Sequence, residues 1–223
     1  PNRPVTDDQR LARLAARLQR RAARAGLQLR QELAGQLCAY VELLQQWNAR
    51  MNLTALDEGD HGLDRLLIEP LAAAAHVGGA PRRMVDIGSG SGSPAIPLRL
   101  ALGAGSLSMI EARARKAAFL REAIRRLELP DASVETGRFE ELAGHARLQG
   151  AFDLLTLRGV RAGRRELRQL QNFVRDGGEL LLFRGGSVDD QPLDLPPSLE
   201  HRGTLPLVDS LGSRLLVLHK AQT

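Results

Sequence analysis

Apolar residues follow two rhythms along the 223-residue chain, and the change between them comes near residue 80. Before it, Leu11, Leu14, Leu18, Ala22 and Ala25, and then Leu33, Leu37, Val41, Leu44, Trp47 and Met51, advance by three or four positions. That spacing puts each set on one face of a helix. Gly78-Gly79-Ala80-Pro81 then interrupts the pattern, as glycine next to proline ends regular structure. Beyond it, short apolar runs alternate with amphipathic stretches. Strands are expected at 84–87, 107–111, 133–136, 152–157 and 178–184, and helices from Pro94 onward and over 114–129, 140–148 and 164–174. Residues 185–197, rich in Gly, Asp and Pro, read as a loop. The segments 202–207 and 214–220 face each other across Asp209-Ser210-Leu211-Gly212 as a hairpin. Strand–helix alternation of this kind predicts an α/β fold, a mostly parallel sheet closed by a C-terminal antiparallel hairpin. The expected division is a helical segment over 1–80 and the α/β domain over 81–223.

The densest chemical signal is Val85-Asp86-Ile87-Gly88-Ser89-Gly90-Ser91-Gly92. An apolar strand ends in a carboxylate and runs into a glycine at every second position, so the backbone there turns sharply and approaches a bulky ligand closely. Pro94 follows, suited to the first turn of a helix because its missing N–H costs nothing there. A strand, a glycine turn and a helix make the ligand-binding corner of an open α/β sheet. Gly90-x-Gly92-x-x-Ala95 fits the dinucleotide fingerprint. Asp86, Gly88, Gly90 and Gly92 fit better the D-x-G-x-G-x-G of class I S-adenosylmethionine methyltransferases, which have a Rossmann-like sheet. In that class a second carboxylate, at the end of the next strand, takes the ribose hydroxyls. Glu111 closes Leu107-Ser108-Met109-Ile110-Glu111 in that position, and an ionised carboxylate accepts both hydroxyl protons.

Composition narrows the class without naming it. With 43% hydrophobic and 26% charged residues, the chain resembles a globular protein and not a disordered one. No apolar run approaches the roughly 18 residues of a membrane helix, and Pro1 to Asp8 lacks the apolar centre of a secretion signal. The single cysteine, Cys38, falls among apolar helical positions and suits a reducing cytoplasm as a buried small hydrophobe. His61, His76, His145, His201 and His219 show no paired spacing, so no metal site is expected. The serines among the glycines belong to a cofactor turn and not to a nucleophile elbow.

The net charge of +5 permits a polyanionic partner, and its distribution says more. Arg10, Arg13, Arg17, Arg20, Arg21 and Arg24 recur at helical steps, with no acidic residue between Asp8 and Glu32. Arg10, Arg13, Arg17, Arg20 and Arg24 are the RNA-contacting candidates, the other reading being a solvated helix face. Arg161, Arg164, Arg165 and Arg168 repeat the spacing further on. With one Trp, one Tyr and five Phe, a platform that stacks successive bases is not expected.

Several phrases converge on one family. Trp47-Asn48-Ala49-Arg50-Met51-Asn52-Leu53-Thr54-Ala55-Leu56 resembles the W-N-x-x-x-N-L-T-A-I signature of the RsmG (GidB) family, bacterial guanine-N7 methyltransferases of small-subunit ribosomal RNA. The resemblance continues at Asp86 to Leu98, at Glu111 with Lys116 to Glu122, at Gly137-Arg138-Phe139-Glu140, at Phe152 to Arg158 and at Gly177-Gly178-Glu179, spanning roughly 33 to 186. It implies S-adenosylmethionine as cofactor and 16S ribosomal RNA or the small ribosomal subunit as partner. It also implies cofactor contacts at Asp86, Gly88, Ser89, Gly90, Gly92, Ser93 and Glu111, at Phe139 and Glu140 on the adenine side, and at Arg158. Where the family writes G-x-G-F-P-G-I-P-L this chain has Ser93 and Ala95, its D-S-L is Glu69-Pro70-Leu71, its S-R-A is Leu157-Arg158-Gly159, and its K-G is Arg184-Gly185.

Guanine N7 carries a free lone pair and no proton, so in-line attack on a sulfonium methyl asks for alignment and desolvation and for no general base. No acid or base is therefore named. Arg158 and Arg184 are the substrate-positioning candidates, since a guanidinium matches phosphate and the guanine O6 edge; the plainer reading pairs them with Asp153 or Glu179. Two alternatives stay open: a methyltransferase of the same fold acting on a small molecule or protein, and a non-catalytic RNA-binding paralogue.

Overall fold

A computed structural model describes residues 6–51, 53, 59–79, 83–103, 105–160, 162–185 and 193–222. The chain starts with two long helices, α1 (Asp7–Arg24) and α2 (Gln31–Met51). Thr6 caps α1 through a reciprocal pair with Gln9, which satisfies two of the N–H groups a helix start leaves open. A second helical stretch runs without a break through α3 (Asp60–Leu63), a π-helical turn (Asp64–Ile68) and α4 (Glu69–Ala74). Wide turns of this kind redirect side chains and carbonyls out of the α-helical register.

The α/β part follows as β1 (Arg83–Ile87), α5 (Ala95–Leu102), β2 (Ser106–Glu111), α6 (Ala114–Arg126), β3 (Ala132–Thr136), α7 (Phe139–Leu142), β4 (Phe152–Arg158), α8 (Arg164–Leu170), β5 (Val174–Arg184), β6 (Leu199–Val208) and β7 (Ser213–Lys220). The described residues form a seven-stranded sheet in the order β3-β2-β1-β4-β5-β7-β6. β1 to β5 pair in parallel, and β7 runs antiparallel to both β5 and β6. The expected α/β class and terminal hairpin are thus present, the hairpin turning through a short 3-10 segment at Asp209–Leu211. Strand order reverses between β1 and β4, and the carboxyl ends of strands flanking such a reversal are where open α/β sheets bind ligands.

Alternation along the strands sorts their side chains onto two faces. Met84, Leu107, Met109, Leu154, Leu181 and Phe183 face the core under α2, α4, α5 and α6. Val85, Ile110, Leu155, Leu157, Leu180 and Leu182 face α7 and α8. The first core is continuous from Leu18 of α1 through α2 to the sheet, so the helical segment and the α/β part share one interior. The division expected at residue 80 lies outside the described residues.

Three local expectations need correction. The helix over 140–148 is a single turn, Phe139–Leu142, because Gly144 interrupts the run and the chain continues in turns, with His145 N–H bonded to the Leu142 carbonyl. The helix over 164–174 stops at Leu170, since Phe173 and Val174 are taken up by pairing with Phe152 at the foot of β4. The strand expected from 178 starts at Val174 and carries an irregularity at its base. Of the expected loop at 185–197, residues 186–192 lie outside the described residues, while Leu193 and Leu195 pack on the second core.

That irregular base makes a sharp demand. A Cβ on Gly178 would stand 2.5 Å from Val174 Cγ1 and 2.8 Å from the Asp153 carbonyl oxygen, whereas one on Gly35, on the exposed side of α2, would meet nothing within 4 Å. Gly178→Ala is expected to destabilise by about 1 to 3 kcal/mol, and Gly35→Ala to stabilise by roughly 0.5 to 1 kcal/mol. Urea titration of both variants checks the pair, and equal effects would contradict this reading of β5.

Candidate functional site

The glycine segment does what its spacing requires. After β1, Gly88, Gly90 and Gly92 all take positive φ, at 68°, 56° and 91°, a region other L-residues rarely adopt. A Cβ would strike Val160 Cγ2 at 2.8 Å from Gly88 and Ile96 Cδ1 at 2.6 Å from Gly92, while at Gly90 the nearest atoms are 3.6 Å or more away. The turn is fastened to its neighbours by backbone bonds. Gly88 and Ser89 N–H both donate to the Ile110 carbonyl, at 2.9 and 3.1 Å, and Ile96 N–H, opening α5, donates to the Gly92 carbonyl at 2.7 Å.

Glu111 lies beside this turn at the end of β2, buried, with one oxygen accepting from Gly90 N–H and the other from Arg113 N–H, each at 2.8 Å. A carboxylate oxygen offers two lone pairs, so each keeps one for a further donor. The group is therefore held rigidly in place with its capacity for a vicinal diol intact. Gly137 N–H bonds the Glu111 carbonyl at 3.1 Å, which brings the start of α7 alongside. There Phe139 is buried in the second core and Glu140 is exposed.

Asp86 and Thr156 are register partners on β1 and β4 and point to the same face; the threonine hydroxyl donates to Asp86 Oδ1 at 2.5 Å. The other carboxylate oxygen is buried with no hydrogen-bond partner among the described residues. Burial pushes the Asp86 carboxyl up to about 6, against the opposing hydrogen bond from Thr156. Tyr40 of α2, fully buried, donates its hydroxyl to the Ser91 carbonyl at 2.7 Å and pins the outer side of the turn; burial raises its phenol.

Arg158, at the end of β4, ties three segments together. Nη1 donates to the Arg65 carbonyl at 2.6 Å and to Glu69 Oε2 at 2.9 Å, and Nη2 donates to the Ser93 carbonyl at 2.8 Å. Ser93 in turn donates its hydroxyl to the Leu66 carbonyl at 2.6 Å. The ion-pair partner is thus Glu69, in place of the Asp153 or Glu179 expected; Asp153 is engaged by Arg175 and by the Arg83 N–H. Arg158, Arg184, Arg65, His61 and Glu69 line a cavity of about 150 Å³ next to the glycine turn. Three guanidinium groups against one carboxylate leave it suited to an anion.

The α1 arginines divide. Arg17 pairs with Asp60 at 2.7 Å, holding that carboxyl below its ordinary range. Arg21 grips buried Asp64 through Nε and Nη2, and Ser210 before β7 donates to the same carboxylate at 2.8 Å. Arg10, Arg13, Arg20 and Arg24 are exposed, without ion pairs among the described residues. Arg161 lies outside the described residues and Arg164 pairs with Asp194. The Cys38 thiol is buried and pushed up to about 11, burial being the larger cause. No described helix is long and apolar enough to cross a membrane, and no group of three or more potential metal ligands occurs among the described residues.

Spacing alone missed Tyr40, Glu69, Thr156 and Asp64. Tyr40, Glu69 and Thr156 did leave a sign, being polar groups beside or inside apolar runs, such as Glu69 after Leu66-Leu67-Ile68, and a buried polar group needs a partner; Asp64, next to Arg65, left none.

Residues 34–205 match the family model described as rRNA small subunit methyltransferase G. The chain is 34% identical over 198 residues to the ribosomal RNA small subunit methyltransferase G of Stenotrophomonas maltophilia, covering 88% of this chain and 89% of that one. It is 33% identical over 185 residues to the protein of the same name from Burkholderia thailandensis, covering 82% and 80%. Among solved structures, a SAM-dependent methyltransferase from Aquifex aeolicus superposes with a TM-score of 0.56 at 11% identity, covering 82% and 98%. A mutant of MtNAS in complex with S-adenosylmethionine gives 0.55 at 15% identity, covering 95% and 97%. These likenesses establish the class I methyltransferase sheet.

The Asp86 geometry has a measurable consequence. A carboxyl with a folded pKa near 6 and an unfolded one near 4 takes up a proton on folding between those values, so stability falls as pH rises through that window and the cost is complete above it. Asp86→Asn keeps an acceptor for Thr156 and removes the charge. It is expected to raise the melting temperature at about pH 7.5, by the equivalent of roughly 2 to 3 kcal/mol, and to give little gain near pH 4. Scanning calorimetry at both pH values decides; an Asn variant less stable at the higher pH would mean that the charge is compensated in the folded state.

Proposed function

From membership of the rRNA small subunit methyltransferase G family, to which this chain belongs, we infer that it is an S-adenosylmethionine-dependent methyltransferase of small-subunit ribosomal RNA, acting at guanine N7. The observation that carries the reading is the pairing of the three-glycine turn with Glu111, whose two oxygens are fixed by Gly90 and Arg113 yet keep lone pairs directed away from those bonds. Such a carboxylate suits a ribose diol. The orphaned, buried oxygen of Asp86 suits a cationic group near the turn, and an amino acid ammonium supplies one.

Asp86, Gly88, Ser89, Gly90, Gly92 and Ser93 would hold the amino acid end of the cofactor, Glu111 the ribose, and the turn at Phe139 and Glu140 the adenine side. Given that Phe139 is buried in the core, the backbone there is the group to meet adenine. When bound, S-adenosylmethionine supplies a methyl group on a positively charged sulfur, electrophilic enough to be taken directly by a neutral nitrogen. The chain's task is then to orient the guanine and exclude water, because N7 brings its own lone pair. Arg158 acts in this scheme as a positioning residue, holding Ser93 and the π-helical turn, while Arg184 and Arg65 face the anion-suited cavity where the target nucleotide's phosphate would enter. The exposed Arg10, Arg13, Arg20 and Arg24, flanked by Arg17, offer a surface for phosphates further along the RNA. An rRNA substrate puts the enzyme in the cytoplasm.

The test is transfer of a labelled methyl group from S-adenosylmethionine to small subunits and to deproteinised 16S ribosomal RNA. Borohydride and aniline then cleave the RNA where N7 is methylated. Label confined to one cleavable guanosine is the expected result. Label that resists cleavage would overturn the N7 assignment, and tight cofactor binding with no transfer to either RNA would return the chain to the non-catalytic reading.

A further inference from the structure

A hollow on α2, outside the site described above, has the chemistry of a nucleobase subsite. It encloses about 250 Å³, more than the volume of a purine, and is lined by Gln46, Trp47, Arg50 and Met51. Trp47, the chain's single tryptophan, is half-buried and meets buried Phe119 of α6 near-perpendicularly, with ring centroids 5.7 Å apart and planes at 69°. That contact fixes the indole before any ligand arrives, which lowers the ordering cost of binding. Met51 adds a polarizable apolar wall. Gln46 and Arg50 are exposed at the rim, and Arg50 has no ion pair among the described residues. An amide presents donors and an acceptor to a base edge, and a guanidinium matches a phosphate.

The hollow does not stand alone. Gln45, next in sequence to Gln46, lines a second groove of about 220 Å³ between α1 and α2, floored by Leu11 and Leu14 and edged by Arg10, Arg13 and Arg17. Cations and an aromatic therefore follow one another along the same pair of helices, with Glu42 as the acid among the groove's lining residues. The order is a phosphate track leading to an aromatic hollow. Tyr40, which pins the glycine turn, precedes Trp47 by seven residues on α2, about 10 Å along the helix axis. A bound strand would lie within reach of the cofactor side.

We propose that the Trp47 hollow receives an unstacked nucleobase of the substrate RNA, with Arg50 and the α1 arginines on its flanking phosphates. This rests on the reading of the chain as an rRNA methyltransferase. Bases in a duplex are stacked and out of reach, so the occupant comes from a loop, bulge or end. One aromatic makes one subsite, which is compatible with the few aromatics available.

The single tryptophan makes the test direct, because all indole emission comes from the hollow. Oligoribonucleotides tiling the small-subunit ribosomal RNA are titrated while emission is followed, with anisotropy reporting binding independently. At least one is expected to quench emission saturably, and its counterpart abasic at one position to bind without quenching. Trp47→Leu is expected to lower affinity for that RNA about tenfold and Trp47→Phe to keep most of it, with S-adenosylhomocysteine binding and melting temperature little changed. Should Trp47→Leu fail to fold, Arg50→Gln serves, being exposed and outside the core; it is expected to weaken binding several-fold and flatten the salt dependence by about 0.7. RNA that binds with no change in emission, or either variant binding as wild type does, overturns the subsite and leaves the methyltransferase reading standing. Absence of any RNA binding by the wild type overturns both.

Discussion

The end of β4 is held to the rest of the site by one guanidinium. Arg158 gives its donors to two backbone carbonyls, Arg65 and Ser93, and to the carboxylate of Glu69. Those partners sit on one continuous helical stretch, the π-helical turn and the start of α4, and on the glycine turn, all more than sixty residues before Arg158 in sequence. The pair is largely removed from water, with 14% and 5% of the two side chains exposed. Truncating one member of such a pair strands the other as a buried charge, at a cost of about 3 to 5 kcal/mol, so the arginine's first role is to keep the turn in place. A lysine has no planar fork to reach three acceptors at once. The departure from the family phrase at Glu69-Pro70-Leu71 is informative here, because the acid that the phrase starts with is kept and its partner is Arg158.

A second carboxylate extends the same construction outward. Asp64, first residue of the π-helical turn, is buried under Arg21 of α1 and Ser210 of the hairpin turn. The next two residues, Arg65 and Leu66, supply the carbonyls that hold Arg158 and Ser93. The arginine-bearing helix and the glycine turn are therefore connected through one short, wide turn of backbone. Arg17 and Arg21 serve this latch, and Arg10, Arg13, Arg20 and Arg24 beside them are exposed, without ion pairs among the described residues. Charge spacing on α1 marked the helix face but could not separate these two roles, since the separating acids, Asp60 and Asp64, lie about forty residues away.

The same distinction describes what was legible in the sequence. The glycine turn, Glu111 and the strands that carry them follow from local pattern: β1 and β2 are short and apolar, the three glycines of the motif all take the positive φ that their spacing implies, and the hairpin announces itself by its turn residues. What stayed hidden were pairings between distant residues. Thr156 meets Asp86 because β1 and β4 are neighbours in exact register, a fact of topology. Tyr40 reaches Ser91 because α2 packs against α5, the helix that the glycine turn leads into. The helix expected over 140–148 failed for a local reason, Gly144, and the one over 164–174 for a tertiary one, the pairing of Phe173 and Val174 with the foot of β4. Periodicity cannot see a strand that claims the last turn of a helix.

The central claim is that the Glu111 carboxylate, held by Gly90 and Arg113, receives the ribose diol of the cofactor. The direct measurement is calorimetric titration of wild type and Glu111→Ala with S-adenosylhomocysteine and with its 2′,3′-dideoxy analogue. Loss of charged hydrogen bonds worth about 1.5 to 3 kcal/mol each predicts that wild type binds the parent compound at least tenfold more tightly than the analogue. Glu111→Ala is predicted to bind the two alike. A variant that still discriminates between them as wild type does, or a wild type that does not discriminate, would contradict the account.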